Sequence, residues 1–227
     1  MRPKLTSSES LSADRLRRSD QTSPDEASGV LVERSSRRVV VLGALAALGA
    51  AGLGGAALES LAGAAAAPSR AQDVRILNYL LRLEYLQEAF YKEANAEGAL
   101  GGELRRFARV VGVHEAEHVG ALKAVLGGDA RSKPDFRFGD AVKSEDRFAA
   151  AALTLEETTA AGYIGQAANL TEKSISAVAR IVAVEARHAA WIRNVVGRLP
   201  SPQAFDPAKT PAQVASTLAR TGFVGRS

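Results

Sequence analysis

The residues best equipped for chemistry in this chain begin with HEAEH at positions 114–118. Two readings compete for it. As H-E-x-x-H on a helix, His114 and His118 would hold a zinc ion one turn apart, with Glu115 as the base of a metalloprotease. As E-x-x-H, Glu115 and His118 would be half of a carboxylate-bridged dinuclear centre, the kind built inside four-helix bundles. Residues i and i+3 share one side of a helix, so such a pair can serve one metal.

The chain repeats this chemistry, and the repeat decides between the readings. VHEAEH (113–118) aligns with AVEARH (183–188), which sets Glu115 on Glu185, His118 on His188 and His114 on Val184. Upstream, LEYLQEAFY (83–91) aligns with LEETTAAGY (155–163), which sets Glu84 on Glu156 and Tyr91 on Tyr163. Each half therefore offers one Glu followed, at a similar interval, by an E-x-x-H. Four glutamates and two histidines are the ligand set of di-iron and di-manganese carboxylate bundles. Carboxylate oxygens with imidazole suit iron or manganese better than copper or a structural zinc.

The expected metal ligands are Glu84, Glu115, His118, Glu156, Glu185 and His188, holding two Fe or two Mn ions. A protease would leave the second E-x-x-H unexplained, and no period-2 strand is present to hold a peptide along its edge. The plainer alternative pairs these acids with Arg82, Arg109 or Arg187. Glu88 shares the inner side of Glu84 and could replace it, but its counterpart in the repeat is Ala160. His114 and Glu117 are expected to face outward or cap a neighbour rather than bind metal. Tyr91, Tyr163 and Trp191 are expected in the core, the tyrosines with tethered hydroxyls.

Positioning six such groups takes helices, and hydrophobic stripes supply four. Segment 72–97 carries Leu77, Leu80, Glu84 and Tyr91 on one face, beside Ile76, Tyr79, Leu83, Leu86 and Phe90. Segment 103–126 carries Leu104, Phe107, Val111, Glu115, His118, Leu122 and Val125. A third, capped near Ser144, carries Phe148, Ala152, Glu156, Thr159 and Tyr163. A fourth, 172–198, is capped by Thr171 and carries Val178, Ile181, Glu185, His188, Ile192, Val195 and Leu199. Carboxylates inside such apolar stripes are costly unless something compensates them.

The 1–2 and 3–4 connections are short and imply two antiparallel hairpins. A helix of about 26 residues is about 39 Å long. The connection near 127–143, about 17 residues, can reach roughly 56 Å when extended. It can therefore run the length of the bundle. TPAQVASTLAR (210–220) reads as a short extra helix, with Thr210 as cap and Pro211 at its first position.

On LEYLQEAFY, HEAEH, TLEETTAAGY and VEARHAAW, the chain resembles the ferritin-like superfamily over about residues 72–200. More narrowly it is similar to exported bacterial ferritin-like proteins related to desiccation-related proteins. The resemblance implies an all-α, ferritin-like four-helix bundle of two hairpins and one long crossover. It also implies that Glu115 and Glu185 bridge the metals, that Glu84 and Glu156 are terminal ligands, and that each histidine serves one metal. The function expected is redox chemistry with O2 or peroxide: iron oxidation, peroxide removal or substrate oxidation. The alternative is a non-enzymatic, stress-protective or binding scaffold. A homo-oligomer is allowed by either.

The front of the chain reads differently. Residues 1–71 comprise a polar segment at 1–35, expected to be disordered, and then SSRRVVVLGALAALGAAGLGG with a run of alanines after it. Arg37–Arg38 before the uncharged stretch 39–57 indicate a twin-arginine signal, cleaved between Ala64 and Ala71. Val40 and Val41 stand where Phe and Leu are usual. The expected location is the periplasm or cell exterior, with the twin-arginine export machinery as a partner. A retained membrane anchor is the competing reading, since the stretch is long enough to span. That route carries folded proteins, which suits a chain that must take up its metal before export.

The bundle is expected at 72–200 and a tail at 201–227. The composition, 46% apolar and only 5% aromatic, favours close-packed helices. The net charge of +4 is spread along the chain. Basic and aromatic residues are not interleaved, so nucleic acid is not an expected partner. Without cysteine there are no disulfides or thiolate metal sites.

Overall fold

Ser69 opens the first helix by accepting a hydrogen bond from the Gln72 backbone N–H, an N-cap that satisfies one of the helix's free donors. The structure is a computed structural model that describes residues 67–224. Helix α1 spans Arg70–Glu97, and Gly98 ends it with φ 72°. Next come α2 at Gly102–Leu126, α3 at Glu145–Ala167, α4 at Glu172–Val195 and the short α5 at Pro211–Ala219. Four helices form the bundle and α5 is the short addition. Among the described residues the only β-type pairing is an isolated bridge between Phe136 and Val224.

Helix α1 packs chiefly along α2, and α3 along α4. Asn95 on α1 bonds the Ala108 carbonyl at the start of α2, while Glu84 meets His118 further on, so the two helices run antiparallel. Contacts of α2 with α4 and of α1 with α3 close the bundle. The stripes become its core: Leu80, Phe90, Phe107, Val111, Leu122, Phe148 and Ile192 are completely buried.

The crossover runs beside α1. Asn78 donates to the Asp129 carbonyl at 2.9 Å and accepts from Arg131 N–H at 2.8 Å. Tyr85 donates to the Arg131 carbonyl, and Lys133 pairs with Glu88 at 2.8 Å. Phe138 then stacks edge-on against Phe90. Successive loop residues thus meet successive turns of α1, which holds the crossover along the bundle.

The tail after α4 returns across α3. Lys209 N–H donates to the Ala161 carbonyl at 2.9 Å, and a Cβ on Gly165 would lie 2.0 Å from the Lys209 oxygen. No other residue fits Gly165 without moving that strap. Thr210 and Gln213 then form a capping box at the start of α5. Val214, Leu218 and Phe223 are buried.

Three expectations need correction. Helix α4 ends at Val195 rather than at 198, because Gly197 adopts φ 72° and Arg198 N–H bonds back to the Arg193 carbonyl, a Schellman-type end. Leu199 falls beyond that end and is 73% exposed. In α2, Leu126 rather than Val125 continues the buried stripe. Thr171 sits at the N-cap of α4, yet its hydroxyl does not cap its own helix. It donates to Asp73 on α1 at 2.5 Å, and Asp73 also accepts from Thr171 N–H and the Ser174 hydroxyl.

No helix among the described residues is long and apolar enough to cross a membrane. The twin-arginine segment and the uncharged stretch 39–57 lie outside the described residues.

Candidate metal centre

All four bundle helices send acid into one level of the core. Helix α1 contributes Glu84, α2 Glu115 and His118, α3 Glu156, and α4 Glu185 and His188. The four glutamates are completely buried, and the two histidines are nearly so. Their ligating atoms form two sets within a single ion's reach. One is Glu84, Glu115, His118 and Glu185; the other is Glu115, Glu156, Glu185 and His188. In each set the atoms lie within 4.8 Å of one another. Glu115 and Glu185 belong to both.

His118 Nδ1 lies 3.0 Å from Glu185, 3.3 Å from Glu84 and 3.4 Å from Glu115. His188 Nδ1 lies 3.1 Å from Glu115 and 3.4 Å from Glu156. A single ring nitrogen carries at most one hydrogen, so the histidine protons alone cannot satisfy these oxygens. Both oxygens of Glu115 and of Glu185, Glu156 Oε2 and His188 Nδ1 have no hydrogen-bond partner in the protein. Neither Arg nor Lys pairs with any of the six among the described residues, which removes the plain ion-pair reading. Buried carboxylates left in this state are strongly destabilising, and a divalent cation is the compensation that fits the donor set.

The electrostatics agree. Burial, together with the neighbouring carboxylates, pushes the Glu115 and Glu185 acids well above the ordinary range. Burial alone would lower His118, but Glu115, Glu185 and Glu84 outweigh it and push its pKa up to about 12. His188 is raised in the same way, chiefly by Glu156 against its burial. Protons and a bound cation would therefore compete for these groups.

A ring of donors aims Glu84 and Glu156. Tyr91 on α1 donates to Glu156 Oε1 on α3, and Tyr163 on α3 donates to Glu84 Oε1 on α1. The second oxygen of each acid stays with the centre, Glu84 Oε2 beside His118 and Glu156 Oε2 beside His188. Burial and then the adjacent carboxylate charge raise both phenol pKa values well above 10, so the hydroxyls remain donors. Gln87, completely buried, also donates to Glu156 Oε1 at 3.1 Å, and Thr159 donates to the Gln87 side-chain oxygen.

Sequence reasoning passed over Gln87 and placed Thr159 on the inner stripe without giving it a partner. They lie three residues after Glu84 and Glu156 and align in the repeat, which is the signal that could have found them.

His114 meets a neighbour rather than facing outward, and Trp191 differs from expectation. His114 is half-buried, with Nδ1 2.9 Å from His188 Nε2. The rings are within 12° of parallel with centroids 5.2 Å apart, which suits an edge-to-edge N–H···N bond. Trp191 is only half-buried; its indole N–H donates to Glu103 at 2.9 Å, since that group needs a partner near the surface. Both residues line a cleft of about 420 Å³ between α2 and α4, with Glu117, His118, Val184, Arg187 and His188. Glu88 stays out of the cluster, on the crossover side.

A family model for the ferritin-like domain matches residues 72–198. No curated protein matches the chain.

Proposed function

The chain belongs to the ferritin-like domain family, and from that premise we propose that it is an exported metalloprotein holding two iron or manganese ions for redox chemistry. The single observation that carries this reading is the set of unpartnered oxygens on Glu115 and Glu185, shared between two ion-sized groups. Glu115 and Glu185 would bridge the ions, Glu84 and Glu156 would be terminal ligands, and His118 and His188 would each serve one. When bound, such ions supply electrons for reactions with O2 or a peroxide.

The protein's own part is to position and to exclude. Tyr91 and Tyr163 hold one oxygen of each terminal acid and leave the other free for a cation. The aliphatic and aromatic stripes keep bulk water from the centre, which strengthens every charge interaction inside it. The α2–α4 cleft gives small molecules a route to the histidine edges. Export through a twin-arginine signal fits this reading, because a folded bundle can load its metal in the cytoplasm and carry it out.

The test is metal content by mass spectrometry on the full chain, beside a Glu115→Ala/Glu185→Ala variant. The expected result is about two Fe or Mn per chain in the parent and neither in the variant, followed by oxygen consumption by the reduced protein. A folded parent that refuses added Fe(II) and Mn(II) overturns the proposal. The bundle would then be a non-enzymatic scaffold.

A further inference from the structure

The two halves of the repeat align Glu for Glu and His for His, but their supporting residues differ. His114 backs His188, while the residue aligned with it, Val184, has no polar side chain and lines the cleft beside His118. Among the described residues nothing bonds His118 Nε2. The acids show the same bias. Glu156 Oε1 accepts from both Tyr91 and Gln87, whereas Glu84 Oε1 accepts from Tyr163 alone. Thr159, aligned with Gln87, does not bond Glu84; it spends its hydroxyl on Gln87 instead. Every supporting bond beyond the paired tyrosines therefore falls on Glu156 and His188.

Resting on the dinuclear reading, we infer that the two metal positions are unequal. The position bounded by Glu156 and His188 fills first and holds its ion, and the one bounded by Glu84 and His118 fills second and exchanges through the cleft. His114, Gln87 and Thr159 are the positioning residues that create the difference. With His188 Nδ1 turned to the metal, its Nε2–H donates to His114 Nδ1, which fixes both the ring orientation and the tautomer. Gln87, locked by Thr159, fixes Glu156 before any ion arrives, so less ordering remains to be done on binding.

The test is a stepwise anaerobic titration of the metal-free full chain with Mn(II) or Fe(II), reading free metal by competition with a chelating dye. The parent should bind in two steps separated by at least about tenfold. His114→Phe, which keeps a flat ring but accepts no hydrogen bond, should weaken the tighter step by about 10- to 100-fold and leave the weaker one in place. His114→Gln, which restores an acceptor, should recover much of the loss. Gln87→Leu/Thr159→Val, which removes both members of that pair, should also act on the tighter step. Glu156→Gln should abolish the tighter step and Glu84→Gln the weaker one. Circular dichroism establishes that each variant keeps its helices.

Two equal steps in the parent, or His114→Phe weakening both steps alike, would overturn the inference and leave the dinuclear centre standing. A parent that binds no metal would overturn both. Loss of the tighter step in Glu84→Gln would reverse the assignment and so defeat it.

Discussion

Tyr91 on α1 donates a hydrogen bond from its hydroxyl to Glu156 on α3, 65 residues later in the chain, and Tyr163 on α3 returns the same bond to Glu84 on α1. The exchange ties the two hairpins together at the level of the acids. It also holds each carboxylate with one oxygen outward and one inward. Deleting the Tyr91 hydroxyl as Tyr91→Phe should lower the stability of the metal-free protein by about 1–3 kcal/mol, the range for taking a donor from a buried acceptor. Urea unfolding checks it, and Tyr163→Phe should cost a similar amount.

On the proposed reading, metal should stabilise the protein, since only the folded bundle gathers the six candidate ligands. At a free metal concentration 100 times the dissociation constant, the expected gain is about 2.7 kcal/mol. A chelator should therefore lower the thermal midpoint of the parent. The Glu115→Ala/Glu185→Ala variant should not respond to chelator, and an equal response in the two would count against the centre.

Trp191 is the only tryptophan in the sequence and lines the cleft beside the site histidines. Its emission should change in intensity on adding Mn(II) or Fe(II) to metal-free protein, and the change should saturate with binding. The Glu115→Ala/Glu185→Ala variant should show none of it.

Asp73 gives a pH dependence whose sign can be worked out. Burial alone would raise its pKa, but the bonds from Ser174 and Thr171, with Arg70 nearby, lower it below the ordinary 3.8. A depressed acid contributes stability that is complete above its unfolded value and is lost as pH falls through its folded value. Asp73→Ala should thus cost about 1–2 kcal/mol near neutrality, as for loss of a helix cap. The gap between parent and variant should close as pH falls below 3.8. Thermal midpoints from pH 7 to 3 measure it, and a gap constant with pH would sink the argument.

Gly165 should tolerate no side chain. Its Cβ would meet the Lys209 carbonyl at 2.0 Å, and that contact is backbone, which cannot swing aside. Gly165→Ala should destabilise by about 1–3 kcal/mol, in the range of overpacking. The tail that carries α5 should also become open to proteolysis near residues 200–210.

The sequence alone determined the helices, their order and the long crossover. Apolar spacing is a local property, and the stripes lapse at the glycines at 98 and 127–128. It also named the six residues that the structure gathers at one level, because a repeat of E-x-x-H with an upstream Glu is visible without coordinates. The repeat is equally what hid the differences between the halves. His114 against Val184, and Gln87 against Thr159, look like drift between copies until the second hairpin is laid across the first.

Tertiary structure alone could decide that His114 meets His188, 74 residues away. It alone could show that Asp73 takes over the hydroxyl of Thr171, and that Trp191 borders a cleft rather than filling the core. Helical periodicity fixes the face from which a side chain leaves its helix. What it meets there depends on the angle and rotation of the neighbouring helix, and those are set by the packing of the whole bundle.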